Sequence, residues 1–291
     1  MGRGNADAAY LSASDAMFKA FQNQRADMYI TIGSDMEKRL ASGTQICPEP
    51  APRMDLAIKA LDGKITCARG GHNATSIVAV GETGSFLATD IGYMMKIAVG
   101  PEVKDMLDID LPPSINIKRV ARAKNKYIED TTVCVLDREY NQPLVQQIRE
   151  TGARIVFIRD GDISGVISTA MPGNPIDILI GMGGRKEGVL AAAALKCLGG
   201  DMLARYVYRK EDEESENMAG IDYKKTYTIS DLVRGQDTIV SITGVTDGVL
   251  LPGVHYISGG AETSSIVLQQ KTRTIREIKA LHQFDYNPGS M

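Results

Sequence analysis

Two short stretches of the sequence have residue types suited to binding small polar molecules. Gly181-Met182-Gly183-Gly184-Arg185-Lys186-Glu187-Gly188 joins a strand-like apolar run to an alanine-rich helix. Glycines at such a junction let the backbone approach a ligand, and the free N–H groups of a helix start attract an anion such as phosphate. A tight turn with no ligand is the other reading. The spacing is not GxGxxG and the run lies late in the chain, so a dinucleotide-binding fold is a poor match. Asp160-Gly161-Asp162 also follows a strand-like run, where open α/β sheets gather ligands. Its carboxylates can hold hydroxyls or a cation, or Asp162 serves only as the N-cap of the next helix. Gly70-Gly71-His72-Asn73 reads as a turn before a strand. His255 and His282 have no partner at triad or metal-site spacing, and no Ser or Cys sits in a nucleophile elbow.

These stretches need elements to position them. The alanine-rich run from Ala6 to Phe21 predicts a helix, and Met28–Ile32 predicts a strand ending at Gly33. Pro48, Pro50 and Pro52 exclude a helix interior or central strand there. Strands are expected at Leu56–Ile58, Ser76–Val80, Ser85–Ala88 and Lys96–Val99, close enough together for an antiparallel, hairpin-connected region. After Pro112-Pro113 the rhythm becomes strand–helix alternation. Strands are expected at Thr132–Leu136, Arg154–Ile158 and Ile176–Ile180, and helices at Pro143–Thr151, Ile163–Ala170 and Lys186–Leu198. That order predicts a parallel or mixed sheet faced by helices. The expected boundary falls near residue 113, dividing an N-terminal α+β unit (1–113) from a C-terminal α/β unit (114–291). The charge run Glu211-Asp212-Glu213-Glu214-Ser215-Glu216 reads as a solvated loop.

Composition narrows the function classes. Hydrophobic residues make up 43% of the 291, enough for a sizeable core. A net charge of −3 lacks the basic excess of a nucleic-acid binder, and with 5% aromatics and no Trp, stacking platforms are scarce. No apolar run approaches the roughly 20 residues of a membrane helix. Met1-Gly2-Arg3-Gly4-Asn5 opens no hydrophobic signal core. Cys47, Cys67, Cys134 and Cys197 form no CxxC pair, which argues against a zinc cluster or disulfide framework. A cytoplasmic protein with neither nucleic acid nor membrane as partner is expected.

Taken in order, the motifs resemble the class II (GlpX-type) fructose-1,6-bisphosphatase family over nearly the whole chain. The resemblance is carried by Gly2-Arg3-Gly4, Ile32-Gly33, Ala57 to Gly63, Tyr93-Met94, Val99-Gly100-Pro101, Asp160-Gly161-Asp162 and Gly181 to Gly188. Gly199-Gly200-Asp201-Met202, Ser241-Ile242-Thr243-Gly244 and Thr272-Arg273-Thr274-Ile275-Arg276 continue it. Relative to family members, the chain is expected to be shorter by about one N-terminal helix. The resemblance implies a layered α/β/α/β/α sandwich of the sugar-phosphatase and inositol-phosphatase type. It implies hydrolysis of a sugar bisphosphate assisted by magnesium or manganese, ions that take hard oxygen ligands, and it implies a homo-oligomer.

The departures fall at the positions the resemblance marks as metal ligands. Tyr10 and Ser34 stand where the family has an aspartate and a glutamate, and Asn5 replaces the aspartate after Gly-Arg-Gly. The family's Asp-Pro-(Ile/Leu)-Glu-Gly-Thr motif reads Lys59-Ala60-Leu61-Asp62-Gly63-Lys64 here. Its metal-binding aspartate has become Lys59, Asp62 survives as a shortened carboxylate, and Lys64 replaces the water-activating threonine. Glu187 alone matches a metal ligand unchanged. At the metal-ligand positions Tyr10, Ser34 and Lys59 three carboxylates are lost, and Lys59 and Lys64 bring two ammonium groups, a swing of about five charge units. The substrate contacts are better kept. Tyr93, Asp160, Asp162 and Gly184 match them and Arg138 matches a basic position, with Asp62, Gly63, Lys64 and Gly161 expected to bind substrate beside them, whereas Tyr140 stands where an arginine grips the distal phosphate.

Three functions follow as expectations. The first is a degenerate member that keeps the fold, needs no metal, and binds a phosphorylated sugar or small anion as a sensor or as partner of an active paralogue. In it Lys59 and Lys64 either replace metal charge or merely neutralise Asp62 and Glu187. The second is an active phosphatase using displaced ligands such as Asp35 or Glu37 with Asp62 and Glu187, and magnesium or manganese as cofactor. A dinucleotide-dependent oxidoreductase lacks its fingerprint.

Overall fold

The computed structural model describes residues 1–48, 52–89, 92–209 and 222–284, so Pro50 and the charge run 211–216 lie outside the described residues. Two mixed sheets form the frame. The first contains β1 (Met28–Ile32), β2 (Gln45–Ile46), β3 (Met54–Asp62), β4 (Thr75–Glu82), β11 (Ile239–Gly244), β12 (His255–Ile257), β13 (Gly260–Gln269) and β14 (Thr274–Gln283). Its order is β12-β13-β11-β4-β3-β1-β2, with β14 paired along β13. The second contains β5 (Tyr93–Val99), β6 (Thr132–Leu136), β7 (Arg154–Ile158), β8 (Ile178–Gly184), β9 (Asp201–Val207) and β10 (Tyr227–Thr228), in the order β10-β9-β5-β8-β6-β7.

Helices fill three layers around these sheets, giving the α/β/α/β/α sandwich. On the outer face of the first sheet, α1 (Ala6–Gln22) packs Met17, Phe18 and Phe21 against Ile30, Leu56 and Ile58. Asn5 starts that helix by accepting the N–H of Ala8 at 2.9 Å, a good cap. Between the sheets lie α5 (Asp162–Ser168), α6 (Arg185–Leu198) and α7 (Ile229–Leu232). The run Ala191 to Ala194 in α6 is fully buried, and only side chains that small let one helix approach two sheets at once. Outside the second sheet, α3 (Pro113–Ala123) and α4 (Gln142–Arg149) cover Ile97, Val133, Val135 and Ile178. The short α2 (Lys64–Ala68) follows β3.

Several expected elements match closely, including Met28–Ile32, Thr132–Leu136 and Arg154–Ile158. Others do not. Ser85–Ala88 is not a strand; Phe86 makes one isolated bridge to Val233. The expected hairpin region holds for β3 and β4, but β1 runs parallel to β3, and β5 crosses to the second sheet between β8 and β9. Residue 113 separates neither sheet, because β5 precedes it in the second sheet while β11 to β14 follow it in the first. Pro113 instead opens α3, where its missing N–H costs nothing. The glycine run 181–184 is strand β8, not a turn. Among the described residues, no helix is long and apolar enough to cross a membrane.

Candidate functional site

Six chain segments meet around one cleft of about 260 Å³: the stretches after β1 and after β6, the end of β3, the start of β5, the turn before α5, and the junction of β8 with α6. Asp62, Tyr93, Arg138, Tyr140, Asp160 and Gly161 line it, together with Asp162, Gly184, Lys186 and Glu187. The structure therefore gathers most of the residues expected at the site. Lys64 is not among its lining.

Strand geometry explains how Lys59 and Asp62 serve one place. Three residues apart on a regular strand, they would face opposite sides. The register of β3 against β4 shifts between them, and that irregularity re-aims the strand end. The Lys59 ammonium forms an ion pair with Glu187 from the first turn of α6. Burial works against the Lys59 charge, but Glu187 and Asp62 outweigh it and hold its pKa above the ordinary lysine value. Burial likewise opposes ionisation of Glu187, and Lys59 overrides it, holding that carboxyl down at about 2. Asp62 is left without a matching partner: its Oδ2 is buried and accepts no hydrogen bond. Burial, then the nearby Asp162, push its pKa well above the usual carboxylate range.

A second buried pair lies behind the first. On β5, Met95, Ile97 and Val99 face α3 and α4, while Met94 and Ala98 face α6. Alternation thus sends Lys96 into the middle layer, where it is 1% exposed, pairs with Asp162 and donates to the Gly184 carbonyl at 3.2 Å. The N-cap reading of Asp162 fails: Gly161 caps α5 in the left-handed conformation, and the Asp162 carboxylate is committed to Lys96. Its pKa is raised by burial despite that partner. Asp160 accepts from Arg138 Nη2 at 2.7 Å and from Thr66 Oγ1 at 2.8 Å. Tyr93 and Tyr140 meet edge to face at 5.8 Å, and the Arg209 guanidinium lies 4.2 Å over the Tyr93 ring.

Tyr10 and Ser34 are closed upon each other. The Tyr10 hydroxyl donates to Ser34 Oγ at 2.9 Å, and Ser34 Oγ also accepts the backbone N–H of Met36 and of Glu37. Lys64 turns to Asp7 of α1, at 2.9 Å, and does not neutralise Asp62. Gly63 is the left-handed N-cap of α2 beneath Asp160. Asp35 lines the cleft but is held by Lys186, and Glu37 caps a short turn and pairs with Arg39. His72 and His255 both meet Asp247 at a separate, exposed place.

Arg185 and Lys186 line the cleft and Lys96 lies buried behind it, and sequence reasoning singled out none of the three. A lysine inside the apolar run Met94–Val99 was the one signal for Lys96. Arg185 is 3% exposed, stacks over Tyr206 and donates to the Tyr93 carbonyl, which no local pattern indicates.

The two adjoining glycines have a steric role. A Cβ on Gly183 would lie 2.2 Å from Asp162 Oδ2, and one on Gly184 1.9 Å from Glu187 Oε2. Gly183→Ala is therefore expected to lower stability by about 1–3 kcal/mol, checked by chemical denaturation. Glu187 also sets a pH dependence. Its folded pKa lies below the ordinary 4.5, so its ion pair contributes fully above that value and is lost as the pH falls towards 2. Denaturation of wild type and Glu187→Gln across the acid range should show the wild-type advantage vanish in that window.

The family model for bacterial fructose-1,6-bisphosphatase, glpX-encoded, matches residues 1–282. The chain is 34% identical to a class 2 fructose-1,6-bisphosphatase of Haemophilus influenzae, over 98% of this chain and 91% of that protein. It is 32% identical to the fructose-1,6-bisphosphatase 1 class 2 of Escherichia coli, over 100% of this chain and 92% of that protein. With its sheets, its layered helices and its cleft in place, the chain belongs to the glpX-type, class II fructose-1,6-bisphosphatase family.

Proposed function

We propose that this family member binds a phosphorylated sugar or similar small anion without the family's divalent-metal chemistry, acting as a binding or regulatory subunit. The Lys59–Glu187 ion pair carries this reading. By the resemblance both residues stand at metal-ligand positions, and here they neutralise each other. An ion entering would meet an ammonium group, and two unit charges at ~4 Å repel by about 4 kcal/mol near a protein surface. Magnesium and manganese require several hard oxygen donors. Tyr10 and Ser34 are engaged with each other, Glu187 is paired with Lys59, and Asp62 keeps an unpartnered buried oxygen. Among the described residues, no group of three His, Cys, Asp or Glu side chains converges on one point. The residues present do not fit the multi-metal centre.

They fit an anion better. Arg138, Arg185 and Lys186 line the cleft, and a phosphate would compete with Asp160 for Arg138 and with Asp35 for Lys186. Burial and the nearby Asp162 push the Asp62 pKa well above the usual carboxylate range, so it opposes an anion less than an ordinary carboxylate would. Tyr140 offers one hydroxyl in place of a bidentate guanidinium, so distal phosphate affinity falls. Retained binding without hydrolysis suits a sensor or an assembly partner of an active homologue.

The alternative, an active phosphatase with displaced ligands, would have to free Asp35 from Lys186 or Glu37 from Arg39. Two assays decide. Phosphate release from fructose 1,6-bisphosphate with added manganese should stay at background, while calorimetry in a chelating buffer should detect binding that Arg138→Ala weakens. Manganese-dependent release abolished by Asp62→Asn would overturn the proposal in favour of the enzyme. Neither release nor binding would overturn it in favour of a structural role.

A further inference from the structure

Strand β14 is ten residues long, contains no proline and pairs along its whole length with β13, while among the described residues nothing pairs with its outer edge. Its side chains are open as well: Ile275 is 40% exposed, Ile278 46% and Leu281 59%. A long edge strand with exposed apolar side chains is a template for another strand, and monomeric proteins normally shorten, bulge or cover such an edge.

We infer that β14 is the contact by which two copies of this chain associate, antiparallel and centred on Ile278, into one continuous sheet. The commitment to a second copy comes from the sequence of the strand. A two-fold axis perpendicular to the sheet forces the residue on the axis to face its own copy, which leaves few registers. Centring on Arg276, Glu277 or Lys279 sets like charges against each other. Centring on Ala280 sets Lys279 against Leu281. Centring on Ile278 brings Ile278 to its own copy, Glu277 to the second copy's Lys279, and Ile275 to the second copy's Leu281. The symmetry repeats the charge pair and the Ile–Leu pair on the other side of the axis. Opposite-charge and apolar cross-strand pairs are the units that stabilise a sheet. Lys279 already reaches Glu262 on β13 at 2.9 Å, so it would lie between two carboxylates. The resemblance implies a homo-oligomer without indicating a surface; the pattern on β14 supplies one, independently of what the cleft binds.

The register makes a charge-exchange test possible on the full chain. Glu277→Lys alone and Lys279→Glu alone each set like charges in both charge pairs, and each should weaken self-association by roughly 10- to 100-fold in sedimentation equilibrium. Mixed together, the two variants regain opposite charges in both pairs and should form a heterodimer as tight as the wild-type dimer. Circular dichroism checks that each exposed variant is folded. A monomeric wild type would overturn the inference. So would single variants that dimerise unchanged, or a mixture that stays monomeric.

Discussion

Replacing Lys96 by methionine is expected to lower folding stability by about 3–5 kcal/mol, read as a shifted midpoint in urea denaturation. The size follows from burial. Lys96 is 1% exposed and Asp162 nearly as enclosed, so removing the ammonium leaves a carboxylate in the middle layer without a countercharge. The loss should depend on pH in a defined direction. A buried carboxyl with a raised pKa costs stability as the pH climbs through that value, so the deficit is largest at neutral pH and shrinks on acidification. Adding Asp162→Asn removes the stranded charge and should recover part of the loss. A variant as stable as wild type at neutral pH would mean that the pair is not what holds β5 against α5.

Lys59→Asp should make the protein respond to metal. The change removes an ammonium and adds a carboxylate beside Asp62 and Glu187, the two acids that the Lys59 charge now offsets. At about 4 kcal/mol per close pair of unit charges, manganese affinity should rise by roughly three orders of magnitude. Without metal, three carboxylates crowd one buried place, so the melting temperature falls; with manganese it rises again by mass action. Calorimetric titration and melting curves with and without manganese check both halves. A melting temperature indifferent to manganese would show that the charge of Lys59 is not what excludes a cation.

What the sequence revealed follows from what is local. Short apolar runs located β6 and β7 to the residue, and an alanine run located α6, because each pattern is written in neighbouring positions. Sheet membership is not local. Nothing within Tyr93–Val99 says that it crosses to the second sheet, and nothing near 239–283 says that it returns to the first. At the site, the positions where the resemblance implies a carboxylate and this chain has none were legible one by one. That Tyr10 and Ser34 close on each other, or that Lys59 takes Glu187 while Lys64 turns away to Asp7, depends on contacts between segments far apart in the chain. Lys96 went unnoticed because its strand otherwise reads as core, and Asp162 looked like a cap because its lysine partner lies 66 positions away.

The central claim is electrostatic: the ammonium of Lys59 occupies the charge that a divalent cation would need. Electron paramagnetic resonance of manganese titrated into the wild-type protein tests it most directly, because the sharp signal of the hydrated ion disappears on binding. The account predicts that this signal stays undiminished by the protein, with or without fructose 1,6-bisphosphate. Loss of the signal in proportion to protein, restored by Asp62→Asn, would contradict it.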